Sequence, residues 1–85
     1  METTLFINRL VRIDYLIQHK ATGSARELSE RIGTTERSVF NYLKFMKKMG
    51  APIVYCESDQ SYIYEYDGGF FIGFVSRVQQ ATASA

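Results

Sequence analysis

The sequence has 85 residues, of which 46% are apolar and 22% are charged, and its formal net charge is +1. These values are typical of one small globular domain and exclude a chain that is disordered throughout. The net charge favours neither nucleic acid nor any other class of partner. We expect one domain over residues 1–76 and a flexible tail over residues 77–85, because large apolar residues end at Val78.

The number of cysteines and the N-terminal sequence indicate the cellular compartment of the protein. Cys56 is the single cysteine, so no disulfide can form within the chain, as is usual in a reducing compartment. The N-terminal residues carry charges inside their apolar run and lack a cleavage site of small residues, so they do not form a signal peptide. No stretch approaches the length of a membrane span. The sequence predicts a soluble, cytoplasmic protein.

The first predicted helix runs from Leu5 to about Lys20. Apolar residues recur at i, i+4, i+7 and i+11 and form one buried face: Phe6, Leu10, Ile13 and Ile17. A second apolar stripe lies on another side: Ile7, Val11 and Tyr15. Because a surface helix needs only one apolar stripe, we expect the C-terminal segment or another subunit to cover the second.

Two shorter helices follow, and both carry boundary signals. Gly23 is the expected end of the first helix, and Ser24 with Glu27 gives the S-x-x-E pattern of a capping box. The apolar face of the second helix is Ala25, Leu28 and Ile32, and Gly33 ends it. Thr35 is the expected N-cap of a third helix that reaches about Met49 and stops at Gly50.

The last predicted element is a β-hairpin. Pro52 blocks further helix, and the runs "PIVYC" and "SYIYEY" are rich in β-branched and aromatic residues around the loop "ESDQ". A turn at residues 67–69 precedes the segment from Phe70 to Val75, which is either a third strand or an extended segment packed on the body.

The order of these elements predicts the fold. Only about three residues, including Gly33, separate the second and third helices, which is the spacing of a helix-turn-helix, and the hairpin occupies the position of a wing. The predicted fold is α+β and mostly α: a three-helix winged helix-turn-helix with a C-terminal β-hairpin wing.

The third helix has two different faces. Leu43 and Met46 lie within roughly 40° of Val39 on a helical wheel, so all three should face the core. The opposite face carries a line of polar and basic side chains: Arg37, Asn41, Lys44 and Lys48. An exposed helix is often basic without binding anything, but these groups suit guanine, adenine and phosphate. The helix-turn-helix spacing therefore favours DNA contact.

The stretch from Arg12 to Ile53 resembles the winged-helix module of the DeoR-type and BirA-like helix-turn-helix regulators. The matching positions are Arg12, Leu16, Ile17, Glu27, Leu28, Ile32, Gly33, Thr35, Arg37, Ser38, Val39, Leu43, Met46, Gly50, Pro52 and Ile53. The resemblance covers about residues 9–66. The resemblance implies that the third helix enters the major groove of DNA and that the wing contacts the flanking DNA backbone. Family regulators usually carry an effector-binding domain, and we expect no small-molecule effector domain in this chain.

The expected DNA contacts lie on the third helix and just before it. Arg37, Ser38 and Asn41 are the candidates for base edges, whereas Thr35, Lys44 and Lys48 are the candidates for phosphate. Thr34 and the nearby backbone amides complete the phosphate site. The full predicted set is Thr34, Thr35, Arg37, Ser38, Asn41, Tyr42, Lys44 and Lys48.

Two departures from the family pattern limit what can be transferred. Asn41 and Tyr42 replace the usual Arg-Asp pair, so the base preference of the family does not carry over. The predicted wing tip contains Glu57 and Asp59, whose charges would be repelled by phosphates. We therefore expect this wing to grip the DNA backbone weakly.

The other candidate residues do not form the pattern of a catalytic, metal-binding or phosphate-binding site. His19 has no second histidine near it, Cys56 is expected to be a small strand residue rather than a nucleophile, and the glycines at 68, 69 and 73 lack a phosphate-loop pattern. Asp14, Glu27 and Glu30 are typical of helix surfaces and caps. The sequence predicts no enzyme, no metal and no cofactor.

A dense aromatic region covers the hairpin and the segment after it: Tyr55, Tyr62, Tyr64, Tyr66, Phe70, Phe71 and Phe74. Core filling explains it most simply, and stacking on single-stranded nucleic acid is disfavoured because the region is acidic. A subunit interface is the third explanation. Together with the second stripe of the first helix, it favours a homodimer.

The predicted function is therefore sequence-specific binding of double-stranded DNA by a small transcriptional regulator. The alternative is a protein–protein interaction module on the same scaffold, which would use the acidic wing and the aromatic C-terminal segment as its contact surface.

Overall fold

A computed structural model describes residues 3–73. Three helices come first: α1 (Thr3–Gln18), α2 (Ala25–Ile32) and α3 (Glu36–Lys48). Strands β1 (Ile53–Cys56) and β2 (Ser61–Tyr64) follow as an antiparallel pair in which Ile53 faces Tyr64. The predicted winged-helix layout is confirmed. The predicted tail over residues 77–85 lies outside the described residues. Within residues 3–73, no helix is both long and apolar enough to cross a membrane.

The core lies where the three helices and the first strand meet. Its buried side chains come from every helix and from β1: Leu10, Ile13, Leu16, Ile17, Leu28, Val39, Tyr42, Leu43, Met46 and Ile53. Most of these were expected from the helical spacing of apolar residues. The second stripe of α1 remains outside this core, since Val11 is 52% exposed and Tyr15 is 58% exposed.

The end of α1 differs from the prediction. The helix ends at Gln18, and Lys20 adopts a left-handed conformation with φ of 52°. The N–H of Ala21 then donates to the carbonyl of Leu16 at 2.8 Å, which satisfies a terminal carbonyl without glycine. Gly23 instead has φ of +70° next to the start of α2, where an added Cβ would lie 2.5 Å from Oε1 of Glu27. The prediction that Gly23 stops α1 was wrong.

The boundaries of α2 follow the sequence signals. The N–H of Ser24 donates to Oε1 of Glu27 at 2.8 Å, and the N–H of Glu27 donates to Oγ of Ser24 at 3.2 Å. Hydrogen bonding of the Glu27 carboxylate to the backbone of Ser24, and then to its side chain, lowers the pKa of Glu27. Gly33 ends the helix in the left-handed region with φ of 71°. The predicted capping box and glycine stop are confirmed.

The hairpin is joined to the connection between α1 and α2. Oγ1 of Thr22 accepts from the N–H of Tyr62 at 2.8 Å, and the N–H of Thr22 donates to Oγ of Ser61 at 3.1 Å. Thr22 and Ser61 are both fully buried. This connection therefore sits beside β2 and supplies polar partners that a lone hairpin would lack.

The segment after the hairpin contacts α1 through Asp14. Asp14 accepts a hydrogen bond from the hydroxyl of Tyr64 at 2.6 Å and another from the N–H of Phe70 at 2.9 Å. Phe70 is partly buried against the core, whereas Phe71 is 66% exposed. In the described part of the chain the sheet has two strands. Residues 70–73 form no third strand, and Phe70 packs on the core, whereas residues 74 and 75 lie outside the described residues.

Candidate nucleic-acid interface

Helix α3 buries one face and exposes the opposite one. Val39, Leu43 and Met46 are at most 3% exposed, as the helical wheel predicted. The side chains on the other face are all exposed: Arg37, Asn41, Lys44 and Lys48. None of these four makes a hydrogen bond or an ion pair with another residue between positions 3 and 73. The structure therefore brings together the predicted polar and basic face and leaves it open to solvent.

The N-terminal end of α3 is organised by two hydroxyls. Oγ1 of Thr35 accepts from the N–H of Ser38 at 3.1 Å, which confirms the predicted N-cap, and it donates to Oγ of Ser38 at 3.0 Å. Ser38 is partly buried but keeps its own hydroxyl hydrogen for another acceptor. Glu36, an acid in the first turn, is exposed here, and its charge disfavours a phosphate at this end.

Thr34 contributes less to this end than expected. It is partly buried in the turn between α2 and α3, and its N–H donates to the carbonyl of Ser29 at 2.9 Å. The backbone amide of Thr34 is therefore engaged within the protein. Phosphate contacts fit Lys44 and Lys48 better, since both are exposed on the second half of the helix.

Tyr42 does not belong to the exposed face. It is only 3% exposed, and its ring packs on Phe6 with the ring centroids 5.4 Å apart. Its position three residues after Val39 and four before Met46 places it on the core side of the helix. The prediction that Tyr42 contacts DNA was wrong, because its side chain is buried against α1.

Arg9 fixes the turn between α2 and α3. Its Nη2 donates to the carbonyl of Gly33 at 3.0 Å, and its Nη1 donates to the hydroxyl of Tyr42 at 3.1 Å. One guanidinium thus ties α1 to both the turn and α3. The sequence reasoning missed Arg9, although its spacing from Phe6 (three residues) and Ile13 (four residues) places it on the buried face of α1.

Phe40 is an apolar side chain on the basic face. It is 51% exposed and lies three residues after Arg37 and four before Lys44, so both cations are its neighbours on the helix surface. The sequence reasoning also missed this residue. The same helical wheel that separates the core face from the basic face would have placed Phe40 beside the cations.

The wing tip is acidic and anchored. Residues 57–60 form the predicted four-residue loop, and Gln60 closes it with φ of 50°. Asp59 pairs with Lys20 at 3.6 Å, which attaches the tip to the end of α1. Glu57 is exposed. The tip therefore presents negative charge, which supports the expectation that it makes weak contact with phosphates.

The other residues singled out from the sequence have structural surroundings. The ring of His19 stacks on Tyr15 with the ring centroids 4.1 Å apart, and its Nδ1 lies 2.8 Å from the carbonyl of Tyr15. Cys56 is partly buried at the end of β1. Across residues 3–73, no group of three or more His, Cys, Asp or Glu is placed to hold a metal ion.

The aromatic region divides into inward and outward members. Tyr62, Tyr64 and Phe70 are partly buried against the core, so core filling explains these three. Tyr66 and Phe71 are 67% and 66% exposed. Phe74 lies outside the described residues. Burial in the core therefore accounts for only part of the predicted aromatic region.

Comparison with known proteins adds no relative: no family model, no curated protein and no solved structure matches this chain. The resemblance to the DeoR-type and BirA-like regulators therefore stays a prediction that rests on the quoted residues.

Proposed function

We propose that this protein binds double-stranded DNA in a sequence-specific manner and acts as a small transcriptional regulator. Helix α3 enters the major groove and presents its exposed face to the base pairs. One observation carries the proposal: Arg37, Asn41, Lys44 and Lys48 form an exposed line on the second helix of a helix-turn-helix and have no partner among the described residues.

The four side chains have different roles in this proposal. Arg37 and Asn41 lie in the first half of α3, where a recognition helix approaches the bases most closely. A guanidinium can donate two hydrogen bonds to guanine, and a carboxamide pairs with adenine. Ser38 assists from the same turn. Lys44 and Lys48 lie further along the helix and neutralise phosphates, which gives affinity without sequence information.

The first experiment measures how binding depends on salt and on sequence. The protein is titrated into a random-sequence duplex at about 50 and 200 mM salt, and the sequences that it prefers are then selected from a random library. We expect an affinity that falls steeply with salt. Absence of binding at the lower salt concentration would refute the proposal.

Single substitutions then separate the two roles. Arg37→Ala or Asn41→Ala should cost roughly 1–3 kcal/mol on the selected sequence and little on random DNA. Lys48→Ala should weaken binding to both duplexes equally and reduce the slope of log affinity against log salt by about 1. Arg12→Ala is the matched control, since it removes the same charge from an exposed position on α1 and should leave binding unchanged. Equal losses on both duplexes for all α3 variants would contradict base reading.

A second function has an observation in its favour. Tyr66 and Phe71 are exposed aromatic residues, and Tyr66 lies between the acidic residues Glu65 and Asp67 in the sequence. Aromatic residues are enriched at protein interfaces. Under this alternative the protein is an interaction module whose partner binds the wing and the C-terminal segment. Two results together would favour this alternative: the wild type does not bind DNA, and the Tyr66→Ala variant loses binding to the protein partner.

The proposal includes a homodimer in a reducing, cytoplasmic environment. Val11 and Tyr15 are half exposed on α1 and lie outside the core, which supports a contact between two copies. A two-fold dimer would also match paired half-sites on DNA. Sedimentation of the wild type and of a Val11→Glu variant tests this, and identical monomer masses for both would contradict it.

A further inference from the structure

Phe40 lies outside the hydrophobic core formed by residues 3–73, and 51% of its surface is exposed. Exposed polar faces of helices do contain single apolar residues, but a phenylalanine that is 51% exposed loses about half of the stabilisation that burial would give it. A polar residue there would suit the surrounding face equally well. The side chain is thus available for a contact outside the chain.

The residues beside Phe40 indicate which kind of partner its side chain contacts. Arg37 and Lys44 flank it on the helix surface, and both are exposed without a partner in residues 3–73. An apolar protein interface would have to bury these two cations or leave them at its edge, and buried unpaired charges are costly. Duplex DNA offers partners to all three side chains. Its phosphates and guanine edges accept hydrogen bonds from the two cations, and the partner of the ring is an apolar group in the major groove.

One apolar group in the major groove suits the ring itself. The base edges there display hydrogen-bond donors and acceptors, and the C5-methyl group of thymine is the apolar exception. We propose that Phe40 contacts a thymine methyl group, so that the preferred DNA sequence contains an A·T pair opposite the second turn of α3. This inference rests on the proposed DNA binding and names a further specificity-determining residue for it.

The test removes only the methyl group. Each thymine of a duplex selected by the wild type is replaced in turn by deoxyuridine, which keeps base pairing and lacks the C5-methyl. We expect one position in each half-site to weaken wild-type binding by about fourfold, the size expected for one apolar methyl group removed from a contact. Phe40→Ala should bind the thymine and deoxyuridine duplexes equally, whereas Phe40→Leu should keep part of the discrimination.

Controls separate this inference from the proposed function. Phe71→Ala removes an equally large exposed ring outside α3 and should keep the wild-type response to deoxyuridine. Thermal unfolding by circular dichroism verifies that each variant is folded. A wild type that selects a sequence but responds to no deoxyuridine, or a Phe40→Ala variant that responds as the wild type does, refutes the role of Phe40 alone. A wild type that selects no sequence refutes base reading and this inference together.

Discussion

Arg9 should be the residue through which α1 sets the position of α3. Replacing it by methionine keeps an unbranched apolar stem of similar shape and removes the guanidinium. The bond from Nη1 to Tyr42 is partly buried at 3.1 Å, and the bond from Nη2 to Gly33 is exposed at 3.0 Å. Both bonds are lost in Arg9→Met, so the turn between α2 and α3 is no longer tied to α1.

The size of the effect follows from these two bonds. A hydrogen bond that involves a charged group contributes about 1.5–3 kcal/mol, and solvent reduces the exposed one to about 0.5–1 kcal/mol. Nε of Arg9 is buried without a partner among the described residues, so methionine recovers roughly 1 kcal/mol. The net loss should be about 2 kcal/mol, out of a total of about 4–13 kcal/mol for a chain of this length.

Urea unfolding measures this loss, and a double-mutant cycle assigns it. Arg9→Met, Tyr42→Phe and the double variant are compared with the wild type, so that other effects of each change cancel. We expect a coupling of about 1 kcal/mol between the two positions. Additive losses would show that the guanidinium and the hydroxyl do not interact, and would refute the assigned role. DNA affinity of Arg9→Met, measured well below its unfolding temperature, should also fall, because the turn is released.

Three further predictions concern the contacts that hold the scaffold. Thr22→Val should destabilise the fold by about 1–3 kcal/mol in urea unfolding, because it leaves the partly buried N–H of Tyr62 without its acceptor; a change below 0.5 kcal/mol would contradict this. Burial and then the hydrogen bond to Asp14 raise the pKa of Tyr64 above 10.0, so stability should be full below pH 10 and fall as the pH rises beyond it, with a shallower fall in Tyr64→Phe. The pKa of Glu27 is lowered from 4.5, so its contribution should be present above pH 4.5 and disappear as the pH falls through the lowered value. Thermal melts of Glu27→Gln should lack that acid dependence.

The sequence predicted the elements that local signals control. The boundaries of α2 were predicted from Ser24 with Glu27 and from Gly33, and the start of α3 was predicted from Thr35. These predictions were possible because caps and glycine stops depend on a few adjacent residues. The β-branched and aromatic runs on either side of the four-residue loop were sufficient to predict the pairing of β1 with β2. The end of α1 was placed too late, because a lysine at position 20 takes the left-handed conformation that is usually reserved for glycine.

The contacts between distant elements could not be predicted in the same way. Asp14 accepts hydrogen bonds from residues that lie 50 and 56 positions away, and no local pattern links them. Tyr42 was placed on the wrong face because the sequence reasoning compared it with a family motif rather than with its angle from Val39. Phe40 and Arg9 were not predicted, because the charge pattern of α3 includes neither residue.

The distribution of charge explains how a protein of net charge +1 could still be drawn to DNA. The exposed cations Lys44 and Lys48 lie on α3, whereas the exposed acids Glu57 and Asp59 lie in the loop of the hairpin, so charge is unevenly distributed between these elements. Near a polyanion, such a molecule is oriented before contact. Lys20 neutralises part of the wing tip through Asp59, which limits the repulsion when α3 approaches a phosphate backbone. Orientation by α3, rather than net charge, would then determine the rate of association, and Lys48→Ala should slow it more than Arg12→Ala does.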